Sequence, residues 1–212
     1  MAKIKTKRER VKFASDNVAG ACPEVLDAII KANDGDSTPY GNDQISTELQ
    51  DKFSEIFEKE VIVFPTASGT AANALALSTM TPSFGNIYCH KLSHINTDEC
   101  GAPEFYTGGG KLIALQGVHG KITANELDQS IGGKGIVHHT QPSSVSITQV
   151  CETGEVYQID EIKKISDVAH KHHLNMHMDG ARFANALVSL NVTPAEMTWK
   201  SGIDVLSFGA TK

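Results

Sequence analysis

The sequence lacks any apolar run of about 18 residues, the length that a membrane-spanning helix requires. No apolar segment follows its basic first residues, so we expect no secretory signal. Its four cysteines, Cys22, Cys89, Cys100 and Cys151, are widely spaced and form no paired metal-binding motif. These absences predict free thiols in a reducing cytosol, and hence a cytoplasmic protein with neither a metal ion nor a membrane partner.

Acidic residues are scarce at the N-terminus, where residues 1–12 contain six basic side chains and a single acid. The chain as a whole is acidic, with 25 aspartates and glutamates against 19 lysines and arginines. A short basic segment of this kind is typical of a solvated terminus, so we predict no nucleic-acid partner. We predict a basic tail over residues 1–14. Because 212 residues can bury one sizeable core, we predict one domain over residues 15–212.

Strand and helix patterns alternate along the chain after a turn-rich loop at residues 34–45. We predict strands at residues 61–64, 86–89, 112–115, 145–150, 174–178 and 204–208. We predict helices at residues 23–33, 46–59, 68–80, about 97–102, 123–131, 158–172 and 181–190, with capping boxes at Thr123-x-x-Glu126 and Thr193-x-x-Glu196. The alternation predicts a three-layer α/β fold, in which a mostly parallel sheet carries helices on both faces and binds ligands beyond the carboxyl ends of its strands.

A run of small residues, Pro65-Thr66-Ala67-Ser68-Gly69-Thr70, joins the strand predicted at residues 61–64 to a helix. Small residues let the backbone approach an anion closely, and the first amides of a helix are free to bind it. Ser68 and Thr70 add hydroxyl donors. The run lacks the Gly-Lys-[Ser/Thr] of a nucleotide P-loop, so it predicts a phosphate site for another ligand. An ordinary strand-to-helix turn with a good N-cap is the structural alternative.

Three chemically versatile side chains follow other predicted strands. Asp179 can pair with a protonated ring nitrogen of a cofactor, although it could instead cap the next helix or join His177 in a metal site. His94 can stack on a planar ring or act as a base near neutral pH, and a satisfied loop histidine is the alternative. Burial of Lys212 would lower its pKa toward a nucleophilic state. Together with the phosphate turn, they point to pyridoxal phosphate chemistry.

The same residues resemble the L-threonine aldolase family, in the β-eliminating-lyase branch of fold-type-I pyridoxal phosphate enzymes. The resemblance covers nearly everything from Phe13 to Lys212. The segments that carry it are Ser15-Asp16-Asn17, Tyr40-Gly41-Asn42-Asp43, Pro65 to Thr70, Ser93-His94, His177 to Arg182 and Ala210-Thr211-Lys212. It implies a pyridoxal-phosphate-dependent transferase-like large domain, truncated here at the Schiff-base lysine. It also implies a further strand and a small C-terminal domain that are absent from this chain.

The resemblance implies a role for each matched residue. The catalytic residues it implies are Lys212 as the Schiff-base lysine, Asp179 as the partner of the pyridine nitrogen and His94 as the histidine stacked on the ring. The phosphate turn matches Ser68, Gly69 and Thr70, and Ser207 or Thr211 could add a contact. Arg182 matches an arginine beside the cofactor and the substrate carboxylate, a task that suits its bidentate fork, and Ser15 matches a serine near the substrate.

The activity implied by the resemblance is aldol cleavage of L-threonine, L-allo-threonine or a related β-hydroxy-α-amino acid to glycine and an aldehyde. The implied assembly is a homo-oligomer, either a dimer or a tetramer. A histidine that family members often carry after the central strand is missing from Thr148-Gln149-Val150-Cys151-Glu152, which leaves His94 as the fallback base for the β-hydroxyl. The alternatives are a related lyase that eliminates at Cβ, a phenylserine-type aldolase, and a non-catalytic cofactor-binding or interaction fragment.

Overall fold

The computed structural model describes residues 15–210, which divide into two units, 15–36 and 37–210, each described by itself. The predicted tail at residues 1–14 lies outside the described residues. The first unit contains a 3-10 turn, Asp16–Val18, and helix α1, Pro23–Ala32. The helix predicted at residues 23–33 is therefore confirmed, with proline at its first position, where the missing amide hydrogen costs no helical hydrogen bond.

The second unit alternates helices with strands. Its helices are α2, Gln44–Ile56; α3, Gly69–Met80; α4, His94–Thr97; α5, Ala102–Tyr106; α6, Ala124–Ser130; α7, Ile159–Lys171; α8, Phe183–Leu190; and α9, Pro194–Met197. Its strands are β1, Gly85–His90; β2, Lys111–Leu115; β3, Gln141–Thr148; β4, Asn175–Gly180; and β5, Val205–Phe208. Across residues 15–210, no helix is both long enough and apolar enough to cross a membrane.

The five strands form one sheet in the order β2-β1-β3-β4-β5, and every neighbouring pair is parallel. This confirms the predicted α/β fold. From β1 the chain moves outward to β2 and then returns to the other side of β1 with β3. The crossovers therefore reverse direction between β1 and β3, which creates a topological switch point at the carboxyl ends of these two strands.

The two faces of the sheet differ in polarity because successive side chains of a strand point to opposite sides. On one face, Val145, Ile147 and Met178 belong to the main apolar core, which also contains buried residues of α6 and α7. The opposite face packs under α3 and carries a buried polar layer. The members of that layer in β3 and β4 are Ser144, Ser146, Thr148, His177 and Asp179. Since α3 begins at the predicted phosphate turn, this polar layer leads toward the candidate site.

The strand predicted at residues 61–64 is wrong. This segment has no sheet partner among the described strands, because side chains of α2 form hydrogen bonds with its backbone amides and carbonyl. The Gln50 amide accepts from Val63 N at 2.8 Å and donates to Val63 O at 2.8 Å, and Ser54 Oγ accepts from Val61 N at 3.2 Å. An extended segment that is satisfied in this way has no need of a neighbouring strand.

The single helix predicted at about residues 97–102 is also wrong, since residues 98–101 separate α4 from α5. Cys100 and Gly101 have positive φ angles of 52° and 73°, which a right-handed helix cannot contain. The capping box at Thr193 is confirmed in both directions. At Thr123 only the threonine half is correct, because the Glu126 carboxylate accepts from the amides of Gln116 and Gly117 instead.

Replacing Gln50 with alanine should destabilise the second unit. Gln50→Ala leaves the amide and the carbonyl of Val63 without their partners in a half-buried position, so we expect a loss of about 2 kcal/mol in the free energy of unfolding. Urea denaturation of the wild type and the variant measures this loss. The matched control is Gln44→Ala on the same helix, which removes only an exposed bond to Glu48 and should cost less than about 0.5 kcal/mol. Equal losses in the two variants would contradict this account of residues 61–64.

Candidate active site

The predicted site residues of the second unit gather at the carboxyl ends of the strands, where parallel sheets bind their ligands. His94 follows β1, and Asp179 lies near the end of β4, paired in register with Thr148 of β3 and Ser207 of β5. The loops after β1 and β3 are joined across the switch point, because His94 N donates to Glu152 Oε1 at 2.8 Å. The topology therefore brings these side chains to one edge of the sheet.

The predicted phosphate turn is the N-terminus of α3. Ser68 is the N-cap, and its Oγ accepts from Ala71 N at 3.2 Å. Gly69 and Thr70 are the first two helical residues, so no carbonyl of their own helix can accept from their amides. A Cβ built on Gly69 would meet no atom within 4 Å, and its φ angle does not require glycine. The space beside Gly69 is therefore open to a ligand.

Asp179 is a buried carboxylate, 4% exposed, that is held by two donors. Its Oδ1 accepts from Ala181 N at 3.0 Å, and its Oδ2 accepts from Asn73 Nδ2 at 3.0 Å. It does not cap α8, whose N-cap is Arg182, so the capping alternative is wrong. Both oxygens thus accept hydrogen bonds, an arrangement that suits a carboxylate which pairs with a cationic ligand group.

His177 is committed to the polar layer beneath Asp179. Its Nδ1 lies 2.9 Å from Ser146 Oγ, and its Nε2 lies 2.9 Å from Ser207 Oγ. Both ring nitrogens are thus engaged by hydroxyl groups, which argues against the metal alternative, and burial lowers the pKa of His177 to about 4. The same contact gives the Ser207 hydroxyl a partner other than the predicted phosphate.

His94 is tied to a carboxylate that the sequence patterns did not reveal. Its Nδ1 lies 2.8 Å from Oε1 of Glu99, whose side chain is 0% exposed, whereas the His94 side chain itself is 46% exposed. Burial raises the pKa of Glu99, although the hydrogen bonds from Asn73 and His94 oppose that shift. The imidazole is therefore anchored on one edge and open on the other, which is compatible with either predicted role.

Asn73 is the second residue that sequence reasoning missed. Its Nδ2 donates to Glu99 Oε1 at 2.7 Å and to Asp179 Oδ2 at 3.0 Å. It lies four residues after Gly69, hence one turn further along the same face of α3. That spacing from the phosphate turn was the available signal, and for Glu99 the signal was an acid five residues after His94.

The remaining predicted site residues are placed as follows. Arg182 is half-buried at the N-cap of α8, and its guanidinium forms no ion pair within residues 37–210. Ser15 lies at the start of the first unit, where its Oγ accepts from Asn17 N at 3.3 Å. Lys212 and Thr211 lie outside the described residues.

The segment without the family histidine has a structural use. Gln149 is fully buried, donates to Tyr157 O at 2.9 Å and accepts from Tyr157 N at 3.0 Å. This pairing holds the residues before α7 against the end of β3. The side chain is therefore engaged in hydrogen bonds with the backbone, and it offers no group for proton transfer.

Comparisons with a family model and with known proteins indicate the same family. A model of the β-eliminating lyase family matches residues 12–212. Two proteins named low specificity L-threonine aldolase, from Pseudomonas sp. (strain NCIMB 10558) and Pseudomonas aeruginosa, are 47% and 44% identical over 201 residues, which is 95% of this chain. The chain spans 58% of the length of each of these relatives.

Solved structures support the same fold. Leishmania major threonine aldolase superposes with a TM-score of 0.82 at 27% identity, covering 87% of this chain and 54% of that chain. Treponema denticola cystalysin, whose crystal structure contains pyridoxal 5′-phosphate, superposes with a TM-score of 0.54 at 16% identity, covering 76% of this chain and 41% of that chain. The second likeness bears on the fold alone. Both agree with the predicted three-layer architecture.

The buried imidazole of His177 should make the protein sensitive to acid. Its pKa is about 4 in the folded state against an ordinary 6.5, so between these values the unfolded chain binds a proton that the folded chain does not. Stability therefore falls as the pH falls, by about 2 kcal/mol between pH 7 and pH 5. His177→Gln should remove this part of the slope in urea unfolding, whatever its effect at pH 7. The exposed control His138→Gln should leave the slope unchanged.

Proposed function

Because the chain belongs to the β-eliminating lyase family, we propose that the complete protein is a pyridoxal-phosphate-dependent aldehyde lyase. It cleaves L-threonine, L-allo-threonine or a related β-hydroxy-α-amino acid to glycine and an aldehyde. The observation that carries the proposal is the bond between Asn73 and Asp179, which ties a buried carboxylate to the helix that begins at the phosphate turn. The Pseudomonas relatives, which are named for threonine cleavage, support the choice of substrate.

The residues present fit this cofactor. The free amides of Gly69 and Thr70, with the hydroxyls of Ser68 and Thr70, form a donor set suited to a phosphate dianion. The open space beside Gly69 is where such a group could approach the backbone. Asp179 supplies a buried anion for the protonated ring nitrogen. Lys212 would hold the aldehyde carbon.

The other predicted site residues would act on the substrate. When bound, pyridoxal phosphate supplies an aldehyde for the substrate amino group and a ring that accepts electrons from the broken bond. The guanidinium of Arg182 would bind the substrate carboxylate in bidentate fashion. Ser15 is proposed as a substrate-binding residue from the family resemblance alone. His94 would hold the cofactor ring by stacking, and its Nε2 would accept the proton of the β-hydroxyl, so that the aldehyde could leave.

The assembly and location are proposed with this function. Ile62 and Phe64 are 78% and 79% exposed beside the phosphate turn, an apolar surface that a second copy of the chain could cover in a dimer or a tetramer. We place the protein in the cytoplasm, with a basic tail at residues 1–14 and the cofactor-binding domain over residues 15–212. The loop at residues 34–45 is the segment proposed to reach the neighbouring subunit.

Lys212→Ala in the complete protein should abolish both the visible absorption of bound cofactor and the cleavage of threonine. The protein supplied with pyridoxal phosphate is assayed for glycine and acetaldehyde. The control Lys200→Ala removes an exposed ion pair with Glu58 and should retain full activity. A keto acid and ammonia as products would favour elimination at Cβ instead. A folded wild-type protein that shows neither cofactor absorption nor turnover would support a non-catalytic role.

Gly69→Ala should weaken cofactor binding without weakening the fold. The added methyl meets no protein atom but enters the space assigned to the phosphate, so we expect the Kd for pyridoxal phosphate to rise by about tenfold. The apo protein should be as stable as before or more stable by up to about 1 kcal/mol. Gly132→Ala, at an equally open position, is the matched control: it should leave the Kd for pyridoxal phosphate unchanged and affect stability in the same small way as Gly69→Ala. An unchanged Kd would show that the phosphate does not bind at this turn.

A further inference from the structure

Four side chains form a continuous hydrogen-bonded chain from Asp179 through Asn73 and Glu99 to His94. We propose that Glu99 is a positioning residue that keeps the proton of His94 on Nδ1 and so leaves Nε2 free to accept a proton. The catalytic meaning of this arrangement rests on the proposed function. The arrangement itself concerns only residues 37–210 and can be tested without turnover.

Asn73 sets the direction of the hydrogen bonds. An amide nitrogen carries two hydrogens, and Nδ2 of Asn73 donates one to Glu99 Oε1 at 2.7 Å and one to Asp179 Oδ2 at 3.0 Å. Its Oδ1 is buried without a partner, so an exchange of nitrogen and oxygen would place a carbonyl between two carboxylates. Both carboxylate oxygens are therefore acceptors at this amide.

The shared oxygen then decides the tautomer of His94. Glu99 Oε1 already accepts from Asn73 and lies 2.8 Å from His94 Nδ1. The contact forms either with the proton on Nδ1 and an ionised Glu99, or with a protonated Glu99 that donates to Nδ1. In the second arrangement Glu99 would have to donate its proton from the same oxygen that accepts from Asn73, whereas in the first that oxygen only accepts, so the geometry favours the first arrangement. A carboxylate that orients an imidazole through Nδ1 is an effective way to leave Nε2 as the base.

The free edge of His94 is the one that a substrate could reach. Within residues 37–210, Nε2 has no hydrogen-bond partner, and the side chain is about half exposed. The ionisable groups that face the pair are Glu152, whose Oε1 accepts from His94 N, and Asp179, which adds its negative charge through Asn73. Together with Glu99 these are three acids, so the groups that face the imidazole favour a positive charge on its ring.

The first test is nuclear magnetic resonance of the complete protein labelled with nitrogen-15 at its nine histidines, without and with pyridoxal phosphate, using His94→Gln for assignment. At a pH where His94 is neutral, the proposal requires a protonated Nδ1 and an unprotonated Nε2. The opposite tautomer would overturn it. This measurement needs no variant of Glu99 and no activity.

The second test is Glu99→Gln, which keeps the shape of the side chain and removes its charge. The pKa of His94 should be lower than in the wild type, because the imidazolium loses its anionic partner. In the holoenzyme the acid limb of kcat/KM should move to lower pH with it, and the rate on the plateau should fall. The matched control is Asp128→Asn at the surface pair with His172, also 2.8 Å long, which should leave the pKa of His94 and the activity profile unchanged.

The outcomes separate this proposal from the proposed function. If the wild-type protein cleaves no threonine but His94 shows the Nδ1 tautomer and responds to Glu99→Gln, the proposed function fails and the positioning role stands. If Glu99→Gln lowers stability but leaves the pKa of His94 unmoved, Glu99 has a structural role only. Should Glu99→Gln not fold, the tautomer of the wild-type protein decides the question.

Discussion

The position of α3 on the sheet is the constraint on which the site depends. One side-chain amide, that of Asn73, connects this helix to the end of β4, and the same helix begins at Ser68 and Gly69. An anion bound by the first amides of the helix and a cation paired with Asp179 are therefore held at a set separation by a rigid element of one turn. A ligand with a phosphate at one end and a ring nitrogen at the other matches that pattern of charge.

This arrangement requires a polar layer inside the protein, and such a layer is stable only if its members are satisfied. In β3 and β4 the structure meets the requirement with short hydrogen bonds, in which His177 lies between Ser146 and Ser207, and Ser144 lies 2.7 Å from Thr81. The opposite face of the same strands is apolar and packs on α7. The alternation along β3 thus separates the two tasks of the sheet, since one face supplies core burial and the other supports the ligand-binding edge.

Features encoded in a few consecutive residues could be predicted, whereas those that depend on distant pairing could not. The strands β1 to β5, the turn at Ser68 and the acid near the end of β4 follow from local pattern. The bonds from Asn73 reach 26 and 106 residues along the chain, so no local pattern could show them. The segment 61–64 has a strand-like sequence, yet Gln50 satisfies its backbone and no described strand pairs with it. Whether this segment joins a sheet depends on which group bonds its backbone, and the β-propensity of its residues does not describe that competition.

For the proposed function, the choice of the base is narrowed because the segment 148–152 has no histidine. Gln149 lies in this segment, and its side chain forms two hydrogen bonds with the backbone of Tyr157. Other titratable groups near the strand ends are unsuitable: burial raises the pKa of the Cys89 thiol to about 11, and His177 has hydroxyl groups on both nitrogens. His94 differs because one edge of its ring is exposed and the other is held by an acid. A base must reach the substrate and still be oriented, and the buried Glu99 lets a half-exposed imidazole meet both conditions.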